Sequence, residues 1–221
     1  MPARFDLLIL DLDGTLVDSE AILVGMVNET LVAHGYAAVP PRDVSANIGL
    51  PLDEVFRRVL PHADCAAIET LCVSYRRCAD APEFVRQFRL YPGVRETLSA
   101  LRDAGTRLVI ATSKGRATTI DILRHCQIDG TVDAVIGGDC VSQGKPHPEM
   151  VEHARHLIPA SVARTVMVGD TSFEIEMGQA AGVATCAVTY GMHAAASLQA
   201  LRPSFLIDRF EHLRPIVLGQ G

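Results

Sequence analysis

Six short apolar runs, separated by stretches with helical spacing, constrain this chain more than any other feature. They are Phe5–Leu10, Arg107–Ala111, Ala134–Ile136, Thr165–Val168, Ala184–Val188 and Phe205–Ile207. Between them lie amphipathic segments such as Val94–Ala104, with Leu98 and Leu101 inward, and Ala117–Cys126, with Ile120 and Leu123 inward. Runs that are apolar nearly throughout, rather than alternating, suit strands covered on both faces, the condition of a parallel sheet between helices. Ligands of such a sheet sit beyond the carboxyl ends of its strands.

Residues 18–88 break the rhythm. Helical periodicity occurs at Ile22–Val32, Leu52–Val59 and Ala66–Ala79, with no convincing strand, and Pro40-Pro41, Gly49-Leu50-Pro51 and Pro61 punctuate the segment. The turn Tyr91-Pro92-Gly93 marks the return of strands. The expected fold is α/β: a Rossmann-like parallel sheet with helices on both faces and an inserted all-helical cap. Residues 1–17 and 89–221 are assigned to the core, and 18–88 to the cap.

Composition excludes several classes. With 20 Lys+Arg against 26 Asp+Glu, a net charge of -6 supplies no basic field for a nucleic-acid backbone. No run of about 18 apolar residues offers a transmembrane helix. The N-terminal apolar run, interrupted by Asp11 and Asp13, is too short and too acidic for a signal peptide. The six cysteines form no CxxC pair and no zinc spacing. Cys65 and Cys72, seven apart, read as small core residues on one helix face, and a cytoplasmic protein with reduced thiols is expected. Lys114 and Lys145 are the only lysines, against 18 arginines.

Chemistry gathers at the ends of four successive runs. In Leu10-Asp11-Leu12-Asp13-Gly14-Thr15, two carboxylates repel each other unless a cation lies between them, and a hard ion such as Mg²⁺ suits oxygen ligands. A simple Asp-Gly turn is the alternative. After the second run, Thr112 and Ser113 precede a helix start near Gly115, either as phosphate ligands or as an ordinary helix cap. In Gly144-Lys145-Pro146-His147-Pro148-Glu149, a rigidly held Lys145 can place a point charge on phosphoryl oxygens, or be an exposed turn lysine. His147 reads as structural. In Gly169-Asp170-Thr171-Ser172-Phe173-Glu174, Asp170 can complete a metal site with Asp11, and Glu174 can ligate or hold a metal-bound water. Helix capping is the alternative for Asp170. A parallel sheet collects all four ends at one edge, which favours the functional readings.

These residues, in this order and followed by Ala-Ala-Gly, resemble the haloacid-dehalogenase superfamily over essentially the whole chain, and within it the phosphoglycolate phosphatase-like members. The resemblance implies a phosphatase acting on a small-molecule phosphate monoester. Asp11 would attack phosphorus to form an aspartyl-phosphate, and Asp13 would protonate the leaving alkoxide and then activate water. Thr112 and Lys145, with Ser113 beside them, would hold the phosphoryl oxygens. Mg²⁺ would be bound by the Asp11 carboxylate, the Asp13 backbone carbonyl and Asp170.

One position departs from the pattern: the family usually has Asp where this chain has Glu174, which leads to an expectation of retained activity with weakened Mg²⁺ binding. Asn47-Ile48-Gly49-Leu50-Pro51 resembles the cap loop that faces the active site, with Glu20 near the hinge. Arginines 57, 58, 76, 77, 86 and 89 are candidates for an acidic leaving group. The presence of Asp13 sets aside the dehalogenases. The absence of lysine before position 114 sets aside Schiff-base phosphonate chemistry. A sugar-phosphate mutase, whose cap histidine would fall well before His34, and a catalytically weak binding protein keeping the fold are the alternatives. The oligomeric state stays open.

Overall fold

Every residue of the first strand is withdrawn from solvent, and the rest of the molecule is arranged around that fact. A computed structural model describes residues 3–219; positions 1, 2, 220 and 221, which the assignment above gave to the core, lie outside the described residues. In chain order the strands are β1 (Leu7–Leu10), β2 (Val17–Asp18), β3 (Arg89–Leu90), β4 (Arg107–Ala111), β5 (Ala134–Ile136), β6 (Thr165–Gly169), β7 (Ala184–Val188) and β8 (Phe205–Ile207). Six of them form one sheet in the order β5-β4-β1-β6-β7-β8, and every pairing in it is parallel. β1 is central, with Ile9 beside Val109 on one side and Met167 on the other.

Alternation along the strands sends side chains to two apolar layers. Leu8, Leu10, Leu108, Ile110, Val166 and Val168 pack with α6 (Val94–Asp103) and α7 (Arg116–His125), through Leu98, Leu101, Ile122 and Leu123. Leu7, Ile9, Val109, Ala111 and Met167 face α8 (Glu149–Leu157) and α9 (Ser172–Ala180), through Met150, Val151, Ala154 and Met177. Two further helices, α10 (Ala195–Ala200) and α11 (Leu213–Leu218), complete the layers. The fold is thus the expected α/β sheet with helices on both faces.

Between β2 and β3 the chain forms only helices: α1 (Glu20–Ala33), α2 (Pro41–Ser45), α3 (Leu52–Val59), α4 (Cys65–Ala79) and α5 (Pro82–Val85). The two connections that join them to the sheet pair with each other, because β2 and β3 form an antiparallel ribbon, Val17 opposite Leu90 and Asp18 opposite Arg89. Strands of two residues carry no periodicity, so this ribbon leaves no mark in the sequence. Helices α2 and α5 are equally short, and both begin at a proline that presets the first helical φ.

Two packing expectations need correction. Cys72 is buried, but Cys65, the first residue of α4, is exposed, because the helix has only just begun there and its N-cap Asp64 faces water. In α7, Leu123 is buried with Ile122 rather than with Ile120, which is half-buried. All six cysteines are free thiols. Among the described residues, no helix is long and apolar enough to cross a membrane.

Candidate active site

The four strand ends singled out in the sequence belong to β1, β4, β5 and β6, which are neighbours in the order β5-β4-β1-β6. Their carboxyl ends open onto a cavity of about 720 Å³. Asp11, Asp13, Thr112, Ser113 and Lys114 line it from the sheet side, and residues 48–53, Tyr75, Arg76 and Asp80 line it from the inserted helices.

Asp11 follows β1 directly, its N–H donating to the Val168 carbonyl (3.0 Å), so the ladder continues one residue past the strand and fixes the carboxylate at the sheet edge. Gly14 then turns the chain with φ +79°, and a Cβ there would overlap the Asp170 carboxylate. That close approach brings the loops after β1 and β6 together. Asp170 is fully buried. Its Oδ1 accepts from the Thr15 hydroxyl (2.8 Å) and its Oδ2 from the Met192 N–H (2.8 Å). The Tyr190 hydroxyl donates to the Thr15 carbonyl (2.9 Å), so a fifth strand end, after β7, braces the loop that holds the Asp170 carboxylate.

Lys145 is completely covered and donates to Asp11 Oδ1 and to Glu174 Oε1, the latter at 2.9 Å. Its loop is held by Glu149, whose two carboxylate oxygens take the N–H groups of Ser142 and Gln143 (2.8 Å each). His147 has the expected structural part: its Nδ1 accepts from the Glu149 N–H (3.3 Å). Lys145, Asp170 and Glu174 stand behind the cavity lining, with Asp11 in front of them.

Glu174 differs most from its sequence expectation. It sits at the third position of α9, from which a glutamate reaches back to the helix start. Its Oε2 accepts from the N–H (2.9 Å) and the hydroxyl (2.5 Å) of Thr171, while Oε1 takes Lys145. Both oxygens are therefore engaged, one in the cap of α9 and the other with Lys145. The extra methylene that suggested a displaced ligand is what allows the reach to Thr171.

Thr112 is buried and lines the cavity, its oxygen accepting from the Lys114 N–H (3.2 Å). Ser113, expected beside the phosphate, donates to the Gly49 carbonyl instead (2.5 Å), so it fastens the sheet edge to the loop over it. The first N–H of α7, Arg116, already has a partner in Asp139 (2.9 Å), which reduces what that helix start offers an anion. The Lys114 side chain is 9% exposed, and its ammonium lies 3.4 Å from Asp13 Oδ2. Thr15, Lys114 and Tyr190 were missed by sequence reasoning. Thr15 stood within the first motif and Lys114 was one of two lysines, but Tyr190 left no signal beyond its place after a strand.

Charge explains what this edge can hold. Asp11, Asp13, Asp170 and Glu174 face only two ammonium groups, Lys145 and Lys114, with little water to screen them. Burial, chiefly, pushes the Asp11 carboxyl up to about 7, with Glu174 and Asp13 adding to the rise and Lys145 opposing it. Burial and the repulsion of Glu174 and Asp11 hold Asp170 well above the ordinary range. Burial works against the Lys145 ammonium, but Asp11 and Glu174 outweigh it and keep the lysine charged. A hard divalent cation fits this donor set. Among the described residues, no three His, Cys, Asp or Glu side chains gather into a ready-made ligand cluster. Two carboxylates, a backbone oxygen and water remain, a set that suits Mg²⁺.

Known proteins place this geometry. The family model for haloacid dehalogenase-like hydrolases matches residues 8–188. The plasmid phosphoglycolate phosphatase of Cupriavidus necator is 34% identical over 209 residues, covering 93% of this chain and 90% of that one. A pyrophosphatase of Bacillus cereus is 32% identical and covers 97% of each. The solved structure of a predicted phosphoglycolate phosphatase from Haemophilus somnus superposes with a TM-score of 0.83 at 26% identity, covering 96% of this chain and 98% of that one. With the match running from β1 to the end of β7, the chain belongs to the haloacid dehalogenase-like hydrolases.

Proposed function

We propose that this protein is a Mg²⁺-dependent phosphatase that hydrolyses a small phosphate monoester through an aspartyl-phosphate on Asp11, in the manner of a phosphoglycolate phosphatase. The observation that carries the reading is the placement of Asp11, buried in the cavity lining with Lys145 on one of its oxygens. Residues 18–88 act as the cap, and residues 1–17 and 89–221 as the catalytic core. A cytoplasmic location accompanies a small-metabolite substrate.

Asp11 is the nucleophile, its free oxygen turned to phosphorus while Lys145 holds the other. Thr112 binds a phosphoryl oxygen, and Lys145, behind Asp11, offsets the charge that builds on the phosphoryl group in the transition state. Asp13 gives a proton to the departing oxygen and then takes one from the water that cleaves the intermediate. The carboxylates of Asp11 and Asp170 and the Asp13 backbone carbonyl would hold Mg²⁺, with Glu174 supporting them through Lys145. When bound, the cation neutralises phosphoryl charge and repulsion between the carboxylates. The cap covers the reacting atoms and excludes bulk water. Of the six candidate arginines, only Arg76 lines the cavity, which makes it the one to meet an acidic leaving group.

A mutase would need a histidine to carry protons over this site, and no histidine is found among the cavity-lining residues. A panel of small phosphate esters, including 2-phosphoglycolate and hexose phosphates, ranked by kcat/KM with and without Mg²⁺, tests the reading. Hydrolysis that needs Mg²⁺ and is lost in Asp11→Asn is the expected result. Transfer of phosphate within a sugar would favour the mutase, and no metal-dependent turnover of any ester would favour the binding protein.

A further inference from the structure

We propose that Lys114 is a positioning residue for Asp13, assembled only when the cap is closed. The inference rests on the reading of Asp13 as acid and base. Asp13 has two oxygens in different circumstances. Oδ2 lies 3.4 Å from the Lys114 ammonium, whereas Oδ1 is buried with no hydrogen-bond partner in the protein. An ammonium beside Oδ2 leaves Oδ1 as the oxygen that exchanges a proton with the leaving group.

The ammonium is itself held from the other side by the cap. It stands 5.5 Å from the ring centroid of Phe84 and 5.3 Å from that of Phe88, two buried aromatics packed edge to face at 5.0 Å. Phe84 belongs to α5, and Phe88 immediately precedes β3, so both travel with the inserted helices. The attraction of a cation to aromatic faces strengthens as water leaves, and cap closure is what removes the water. The backbone beneath Lys114 belongs to the core and is fixed. Its N–H donates to Thr112 Oγ1 (3.2 Å), its carbonyl accepts from Gly138 N (3.0 Å), and a Cβ on Gly137 would come within 2.8 Å of that carbonyl. One side chain therefore spans the acid–base carboxylate and the cap, from a base that does not move.

The neighbouring contacts are of the same kind. Ser113 Oγ donates to the Gly49 carbonyl (2.5 Å), and Thr118 Oγ1 to Asp80 Oδ1 at the end of α4 (2.9 Å). Each of these contacts brings the cap onto the core segment 113–118, which begins beside the phosphate ligand Thr112. Among these contacts only Lys114 also touches a reacting carboxylate.

The test compares an alkyl ester, 2-phosphoglycolate, with the aryl ester p-nitrophenyl phosphate in Lys114→Met, using Asp13→Asn as the reference. An alkoxide needs the acid to leave and p-nitrophenolate does not, so a misplaced acid slows formation of the aspartyl-phosphate from one ester and spares it from the other, while the later attack of water is common to both. The expected result, read by rapid quench in the first turnover, is a fall of about tenfold or more in that first step on the alkyl ester, little change in it on the aryl ester, substrate affinity unmoved on both and an unchanged melting temperature. Lys114→Arg, whose guanidinium also stacks on aromatic faces, recovers part of the alkyl rate. Equal losses in the first step on the two esters, an unchanged alkyl rate in that step, or an effect confined to substrate affinity would overturn the proposal, the last by making Lys114 a substrate ligand. A parent enzyme that hydrolyses neither ester would overturn the phosphatase reading along with it. Selectivity in Asp13→Asn without selectivity in Lys114→Met would overturn the proposal alone.

Discussion

The site has two halves built on different terms. Behind Asp11, the buried set Lys145, Glu174, Thr171, Asp170 and Thr15 is drawn from the sheet edge alone and bonded throughout at 2.9 Å or less. In front of it, Lys114 and Ser113 find partners in the cap, on Phe84, Phe88 and Gly49, while Asp13 meets Lys114 through one oxygen and has no partner for the other. The first half is held by hydrogen bonds and ion pairs among core residues. The second exists only as a junction. In the proposed function, nucleophile and metal ligands fall in the first half, and proton transfer and leaving-group choice in the second.

The comparison breaks most easily at Lys145. Lys145→Met leaves Asp11 and Glu174 facing each other without a cation, and removing one partner of a buried ion pair costs about 3–5 kcal/mol. A drop in melting temperature is expected together with a fall in kcat of about a thousandfold, seen by calorimetry and steady-state assay. Normal stability with normal turnover would mean that the rear half is not preorganised by this lysine.

Glu174→Asp comes next. The shorter arm cannot cap Thr171 and reach Lys145 together, so a loss of about 1 kcal/mol is expected, with kcat reduced through a less well held Lys145. Turnover should therefore fall with no gain in Mg²⁺ affinity. A rise in Mg²⁺ affinity with turnover kept, measured by titration calorimetry, would restore the ligand role expected from the sequence, in which Glu174 binds the metal more weakly than Asp.

The rear half also predicts a pH dependence. Burial raises Asp11 from its ordinary value near 3.8 to about 7, so without metal this group contributes stability below pH 4 that is lost as pH rises through about 7. Lys145 opposes the trend, being held charged across this window. Mg²⁺ takes the place of the proton, so the melting temperature gained on adding saturating Mg²⁺ should grow between pH 5.5 and 8, reaching about 5 °C. A gain independent of pH would show that Asp11 does not meet the ion.

Ser113→Ala is the smallest and concerns the front half only. Losing one hydrogen bond to the Gly49 carbonyl costs about 1 kcal/mol of closure, read as a several-fold rise in KM with kcat nearly kept. A large fall in kcat instead would return Ser113 to the phosphate site expected from the sequence.

The same division separates what could be read in the sequence from what could not. Strands β4, β5, β7 and β8 were legible to the residue, and Asp11, Asp13, Thr112, Lys145 and Asp170 could be named because strand periodicity forces these ends to one edge. The ribbon of β2 with β3 could not, since two-residue strands show no pattern. Glu174 was seen as acidic but misplaced, because a capping box and a metal ligand use the same residue type at the same helix start. The contacts of Ser113 and Lys114 left no mark for a further reason. Their partners are some 60 residues and about 30 residues away, in the cap, and no local signal records how a cap closes.

The central claim is that Asp11 carries the phosphoryl group. Acid-quenched mass spectrometry of the enzyme mixed with a phosphate ester and Mg²⁺ tests it directly. The account predicts one phosphoryl group on the peptide containing Asp11, absent without Mg²⁺ and absent in Asp11→Asn. Full turnover in Asp11→Asn, or rapid-quench sampling of an active enzyme that never shows this adduct, would contradict it.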